Sequence, residues 1–146
     1  MQDDLWRHAC ELYARPGVEA ACLTAQEAGN NVCLVLCAHW LERRGVAWTA
    51  ERAEALAEIA LPWTETVVTP LRTLRQRWKP AAMEDETLRA LRTSIKALEL
   101  DAERALLERL QAQACRWPCF AGSGAGWLDW ALQQGQASAT VQAALA

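Results

Sequence analysis

Between Ala28 and Leu41 the chain carries no Asp, Glu, Lys or Arg, and its polar interruptions are confined to Asn30, Asn31 and His39. A stretch that is apolar nearly all round a helical wheel belongs to a helix enclosed by others, not to one lying on a surface. It is shorter than the roughly 18–20 residues that a bilayer span requires, so no membrane association is expected. Its ends are marked locally: Asn31 is a good N-cap and Gly45 a good terminator, which predicts a central helix over Val32 to Arg44. An enclosed helix needs a shell, and a chain of 146 residues supplies one within a single domain, 1–146.

The shell is predicted to be helical too. The sequence holds 29 Ala and 20 Leu against seven Val and two Ile. Ala and Leu lose little entropy in a helix, whereas β-branched residues are stiff there. The fold class is therefore all-α: a compact bundle of six or seven helices around residues 32–44. Asp3 or Asp4 caps a first helix ending at Ala14, and Pro16, at a favoured first-turn position, opens a second that runs through Ala28. A helix capped by Thr49 stops at Leu61-Pro62. A further one runs from Trp63 to Trp78, with Pro70 kinking it or starting its second half.

Residues 84–114 hold the strongest periodicity. Leu88, Leu91, Ile95, Leu98, Ala102 and Ala105 follow 3-4 spacing, the seam of a helix packed along another. Thirty-one residues rise about 46 Å, longer than the diameter of about 38 Å expected of a compact globule of this size. The helix must break near Leu100-Asp101 or carry its end onto another chain. A straight helix making a homodimer contact, with Leu106 and Leu110 at the interface, is the expectation. Beyond it come a flexible Gly-rich loop (121–126), a short helix from Trp127 to Gln134, and a tail, 135–146, expected to fray.

Several chemistries are disfavoured. A net charge of −3 and a pI near 5.4 argue against a nucleic-acid-wrapping protein. The first residues have no basic and apolar leader pattern, which predicts a cytoplasmic location and free thiols. Cys33 and Cys37 share a helix face, but His39 lies some 120–160° round the wheel, so no metal site or cofactor is expected from them. Gly122-Ser123-Gly124-Ala125-Gly126 follows no strand and precedes no Lys-Ser or Lys-Thr, so it is not a phosphate cradle. No catalytic motif is present and no catalytic residue is assigned.

The binding candidates lie elsewhere. Segment 63–82 carries +3, from four cations against Glu65, while the remainder of the chain carries −6. On a wheel, Arg72, Arg75 and Lys79 form a stripe beside Leu71, Leu74 and Trp78. They suit a docking surface for an acidic peptide, a phosphate or an RNA backbone, or else ties to Glu51, Glu54 or Glu58. Trp127 and Trp130, beside the glycine loop, are expected to be partly exposed at an interface. The leading functional expectation is a non-enzymatic protein-interaction or regulatory module. The alternative is a small-molecule-binding bundle or enzyme, with a polar pocket built from Asn30, Asn31, His39 and Arg72 or Arg75.

Four blocks then carry a resemblance. They are Leu5-Trp6 with Leu12-Tyr13-Ala14-Arg15-Pro16-Gly17-Val18; Asn31-Val32-x-Leu34 with Trp40-Leu41; Val67-Val68-x-Pro70-Leu71-Arg72-x-Leu74-Arg75; and Glu99-Leu100-x-Ala102-Glu103-Arg104. Together they resemble a proteobacterial family of short cytosolic proteins, the domain of unknown function DUF2390, over roughly residues 3 to 110. The resemblance implies an all-helical fold and a bacterial cytosol. It implies no activity, cofactor or catalytic residue.

Overall fold

The computed structural model describes residues 4–122, 124–132 and 138–146. The chain forms α1 (Leu5–Tyr13), α2 (Val18–Glu27), α3 (Val32–Arg44), α4 (Ala50–Trp63), a π-helical turn (Thr64–Val68), α5 (Thr69–Ala82), α6 (Glu86–Ala114), α7 (Trp127–Ala131) and α8 (Ser138–Leu145). Because α4, the π turn and α5 are one continuous rod, the described residues form the all-α bundle that the composition predicts.

α3 is the centre. Its residues Cys33 to Leu41 are all buried, and it begins and ends where the sequence marks it. The Asn31 side chain accepts from the Leu34 amide at 3.2 Å, and Gly45 closes the helix with φ of 72°, a left-handed conformation that costs glycine nothing. α1, α2, α4 and the C-terminal half of α6 pack around it. Burying Leu41, Leu56, Leu106 and Leu110 completely contributes about 1.5–3 kcal/mol each.

Two boundaries differ from expectation at prolines. α2 begins at Val18 with left-handed Gly17 as its cap, not at Pro16. The rod from Ala50 to Ala82 runs through Pro62 and Pro70 without stopping. A proline ring collides with the carbonyl four residues back in an unbroken α-helix. Here the turn directly before Pro70 is widened, and the Thr69 amide reaches back five residues to the Thr64 carbonyl. The π turn thus absorbs Pro70 where the sequence suggested a kink or a restart.

α6 also runs unbroken through Leu100 and Asp101, its 29 residues rising about 43 Å. None of its residues from Glu86 to Leu98 is buried, whereas Glu99, Ala102, Leu106, Leu107, Leu110 and Ala114 are. On α5 only Ala82 is buried. α5 and the first half of α6 therefore form a two-helix arm, and the second half of α6 belongs to the core. Leu106 and Leu110, expected at a dimer contact, are fully enclosed by their own chain. The apolar seam divides: Leu88 and Ile95 are half-buried, Leu91 and Leu98 half-exposed.

The C-terminal part is docked. Gly124 sits against the Glu42 backbone, where a Cβ would collide with the carbonyl, and the Leu128 amide donates to Glu42 Oε2 at 2.7 Å. Trp127, expected to be partly exposed, is wholly buried and donates its indole N–H to the Val46 carbonyl at 2.8 Å; Trp130 is half-buried. In the tail expected to fray, α8 buries Val141 and Leu145 and lies against α2; residues 135–137 of that segment lie outside the described residues.

Candidate functional site

Two connected features lie where α1, α2, α3 and α6 converge. The first is an apolar cleft of about 150 Å³, walled by Trp6, Ala9 and Tyr13 of α1, Leu36 of α3, and Leu100 and Leu107 of α6. The second is a polar niche of about 40 Å³ lined by Asn30, Asn31, Thr64, Val68, Arg72 and Glu103. Val32, Cys33 and Glu103 line both.

The niche is built by local structure at the end of α2, the start of α3 and the π turn. α2 terminates in Ala28-Gly29, which brings Asn30 inward. Its backbone and side-chain N–H groups both donate to the Ala25 carbonyl, at 2.9 and 3.1 Å. Asn30 is 94% buried (6% exposed), yet its Oδ1 has no hydrogen-bond partner. A buried acceptor without a partner costs about 1–3 kcal/mol. Asn31 caps α3 through its oxygen and donates from Nδ2 to Thr64 Oγ1 at 2.8 Å, tying α3 to the π turn.

Arg72 and Glu103 close the niche. Arg72 Nε donates to Glu99 Oε2 and its Nη2 to Glu103 Oε2, both at 3.0 Å. Arg75 Nε donates to Glu99 Oε1 at 2.6 Å. The four side chains form a neutral quartet between α5 and α6, with the Glu99 side chain only 9% exposed. Hydrogen bonding to Glu99 holds the Arg75 pKa above its ordinary value. Burial, and then the neighbouring Glu99 charge, push the Glu103 carboxyl up, against the opposing pull of Arg72.

Arg72 and Arg75 are consequently occupied within the chain and do not form an open cationic stripe; Lys79 remains exposed. Their carboxylate partners lie on α6, not at the expected Glu51, Glu54 or Glu58. The pocket grouping fares differently. Asn30, Asn31 and Arg72 do meet, while Arg75 turns to Glu99 alone and His39 lies elsewhere. Sequence reasoning missed Glu103, Glu99 and Thr64. The available signal was spacing: Arg72 and Arg75 at i,i+3 match Glu99 and Glu103 at i,i+4, each pair forming one helix face.

His39 belongs to a separate polar chain. Its Nε2 lies 2.9 Å from the Leu145 carbonyl and its Nδ1 2.8 Å from His8 Nε2. A carbonyl only accepts, so His39 carries its proton on Nε2, and His8 Nε2–H donates to His39 Nδ1. Burial, the neighbouring imidazole and Arg43 lower His8 to about 4, and burial lowers His39. Cys33 and Cys37 are buried thiols whose pKa values burial raises. Among the described residues no three His, Cys, Asp or Glu side chains gather as a metal site would require.

The described residues thus form a helical bundle with a small amphipathic recess between its helices. A family model described as a protein of unknown function, DUF2390, matches residues 4–110, and the chain belongs to that family. The match takes in α1 to α5 and nearly all of α6, hence both cleft and niche. No curated protein matches the chain, and no solved structure does.

Proposed function

We propose that the chain is a cytosolic helical bundle that binds a small amphipathic molecule in the cleft between α1, α3 and α6, with its polar end towards Glu103 and the niche. One observation carries the reading: Asn30 Oδ1 is buried without a partner beside a cavity large enough for about one water or one small polar group. A fold does not leave a buried acceptor open without cost, and a bound group or ordered water relieves it. The apolar cleft alongside supplies the surface that gives a small ligand its affinity, while few polar atoms fix its orientation. The test is a ligand-observed NMR screen of single-ring compounds against the wild type and Leu100→Trp. Leu100 is half-exposed at the cleft wall, so a larger side chain there fills the opening and leaves the core intact. Hits that lose binding in Leu100→Trp are expected; a hit set indifferent to that change contradicts the site.

A second reading, a protein-interaction module, is favoured by the arm. Leu91 and Leu98, each 51% exposed, sit one heptad apart on α6. Leu98 also lines an apolar groove with Trp63, Val67, Pro70 and Leu71. The occupant this face fits is a second copy of the chain, since a two-helix layer presenting both a ridge and a groove is self-complementary about a dyad. The layer is about 20 Å long and two helices wide, a footprint of roughly 400 Å², below the about 800 Å² per partner of a standard interface. Self-association is therefore expected to be weak. Sedimentation equilibrium that shows a concentration-dependent dimer, lost in Leu98→Glu, supports it; a monomer at millimolar concentration contradicts it.

A further inference from the structure

Among the described residues that line the cleft, Glu103 is the only one with a formal charge. The other residues there with polar groups are Trp6, Tyr13, Gln26 and two thiols, Cys10 and Cys33. The Tyr13 hydroxyl shares a hydrogen bond with Cys22, and Cys33 is buried. Arg72 stands behind Glu103 but contacts only its Oε2 and is shared with Glu99. Arg104 lies over the Trp6 ring at 5.0 Å and is paired with Glu108. Arg72 and Arg104 are thus both engaged by carboxylates, and the charged group lining the cleft accepts hydrogen bonds when ionised.

Resting on the small-molecule reading above, we propose that the ligand class is a small primary ammonium carrying one aromatic ring or a compact aliphatic body. The ring packs among Ala9, Leu36, Leu100 and Leu107, and the ammonium donates to Glu103. A cavity of about 150 Å³ accommodates one benzene-sized ring and little more. The Tyr13 face adds a favourable surface for the cation. A carboxylate-bearing ligand is rejected, because its charge would be desolvated against Glu103. An uncharged alcohol fits but forgoes the charge-assisted hydrogen bond.

Three single-ring probes of similar size separate these outcomes: benzylamine, benzyl alcohol and benzoate, titrated into the full chain at pH 7 and followed by protein NMR. Benzylamine is expected to bind at least tenfold more tightly than benzyl alcohol, and benzoate most weakly. Glu103→Gln, whose amide oxygen can still accept from Arg72, is expected to bring benzylamine within about threefold of benzyl alcohol. Leu100→Trp, which leaves the quartet untouched, is expected to weaken all three. Benzyl alcohol equalling benzylamine in a site blocked by Leu100→Trp overturns the ammonium class and leaves the cleft reading standing, as does a benzylamine preference that survives Glu103→Gln. No saturable binding by any probe, or binding indifferent to Leu100→Trp, overturns both.

Discussion

Glu99 has the greatest structural consequence of any single side chain in the quartet, because it serves two guanidinium groups while itself nearly buried. Truncating it strands Arg75 and leaves Arg72 with Glu103 alone, and removing one partner from a buried pair costs far more than the pair is worth. Arg72 and Arg75 remain about one-fifth exposed, so solvent screening tempers the loss. Glu99→Ala is expected to destabilise the chain by about 2–3 kcal/mol, against less than about 1 kcal/mol for Lys79→Ala, in urea denaturation at pH 7. The histidine chain makes a pH prediction at the same scale. His8 and His39 titrate lower in the fold than in the unfolded chain, so the unfolded chain binds the extra protons as pH falls. The His8 contribution is complete above about pH 6.5 and lost as pH drops towards about 4, and that of His39 is lost in the same direction. Glu103, whose pKa is raised, acts in the opposite sense, its contribution being lost as pH rises above the ordinary carboxylate range. Comparing urea melts of wild type and His8→Ala at pH 5 and 7.5 isolates the histidine share. The stability difference between the two pH values is expected to shrink in the variant.

At the scale of elements, local signals were legible and packed geometry was not. Asn31 and Gly45 mark α3 because a cap acts within four residues of itself, and such chemistry is written in the sequence. In the sequence Pro62 reads as a stop and Pro70 as a kink or a restart, because proline forbids an ordinary α-turn. The π turn that accommodates Pro70 is held partly by distant ties: Asn31 to Thr64, and the Trp63 indole N–H to the Ala102 carbonyl at 2.9 Å. Those contacts lie 33 and 39 residues apart in sequence. The periodicity of α6 announced a helix but not which of its leucines the body would cover. Substitutions along α6 therefore divide at Glu99. Leu106→Ala is expected to cost about 3–5 kcal/mol through the cavity it leaves in the core, whereas Leu91→Ala, on the arm, is expected to cost less than about 1 kcal/mol. Thermal melts of both variants check the division.

At the scale of the whole molecule, the cleft lies where α1 and α6 meet the N-terminal turns of α3 at Val32, Cys33 and Leu36, just after the chain turns through Gly29, Asn30 and Asn31. Part of the site was legible from residue type alone: two adjacent asparagines before an apolar helix are polar groups that the fold must satisfy, and Arg72 was a natural partner for them. Glu103 was not legible, because its role depends on how α6 rotates against α5, and that rotation is fixed by Leu106, Leu107 and Leu110 entering the core. The most direct measurement is an amide and methyl chemical-shift map of the full chain titrated with benzylamine. The account predicts saturable shifts centred on Trp6, Ala9, Tyr13, Leu36 and Leu100, extending to Asn30 and Glu103. Shifts confined to the arm around Leu91 and Leu98, or scattered and non-saturating, would contradict it.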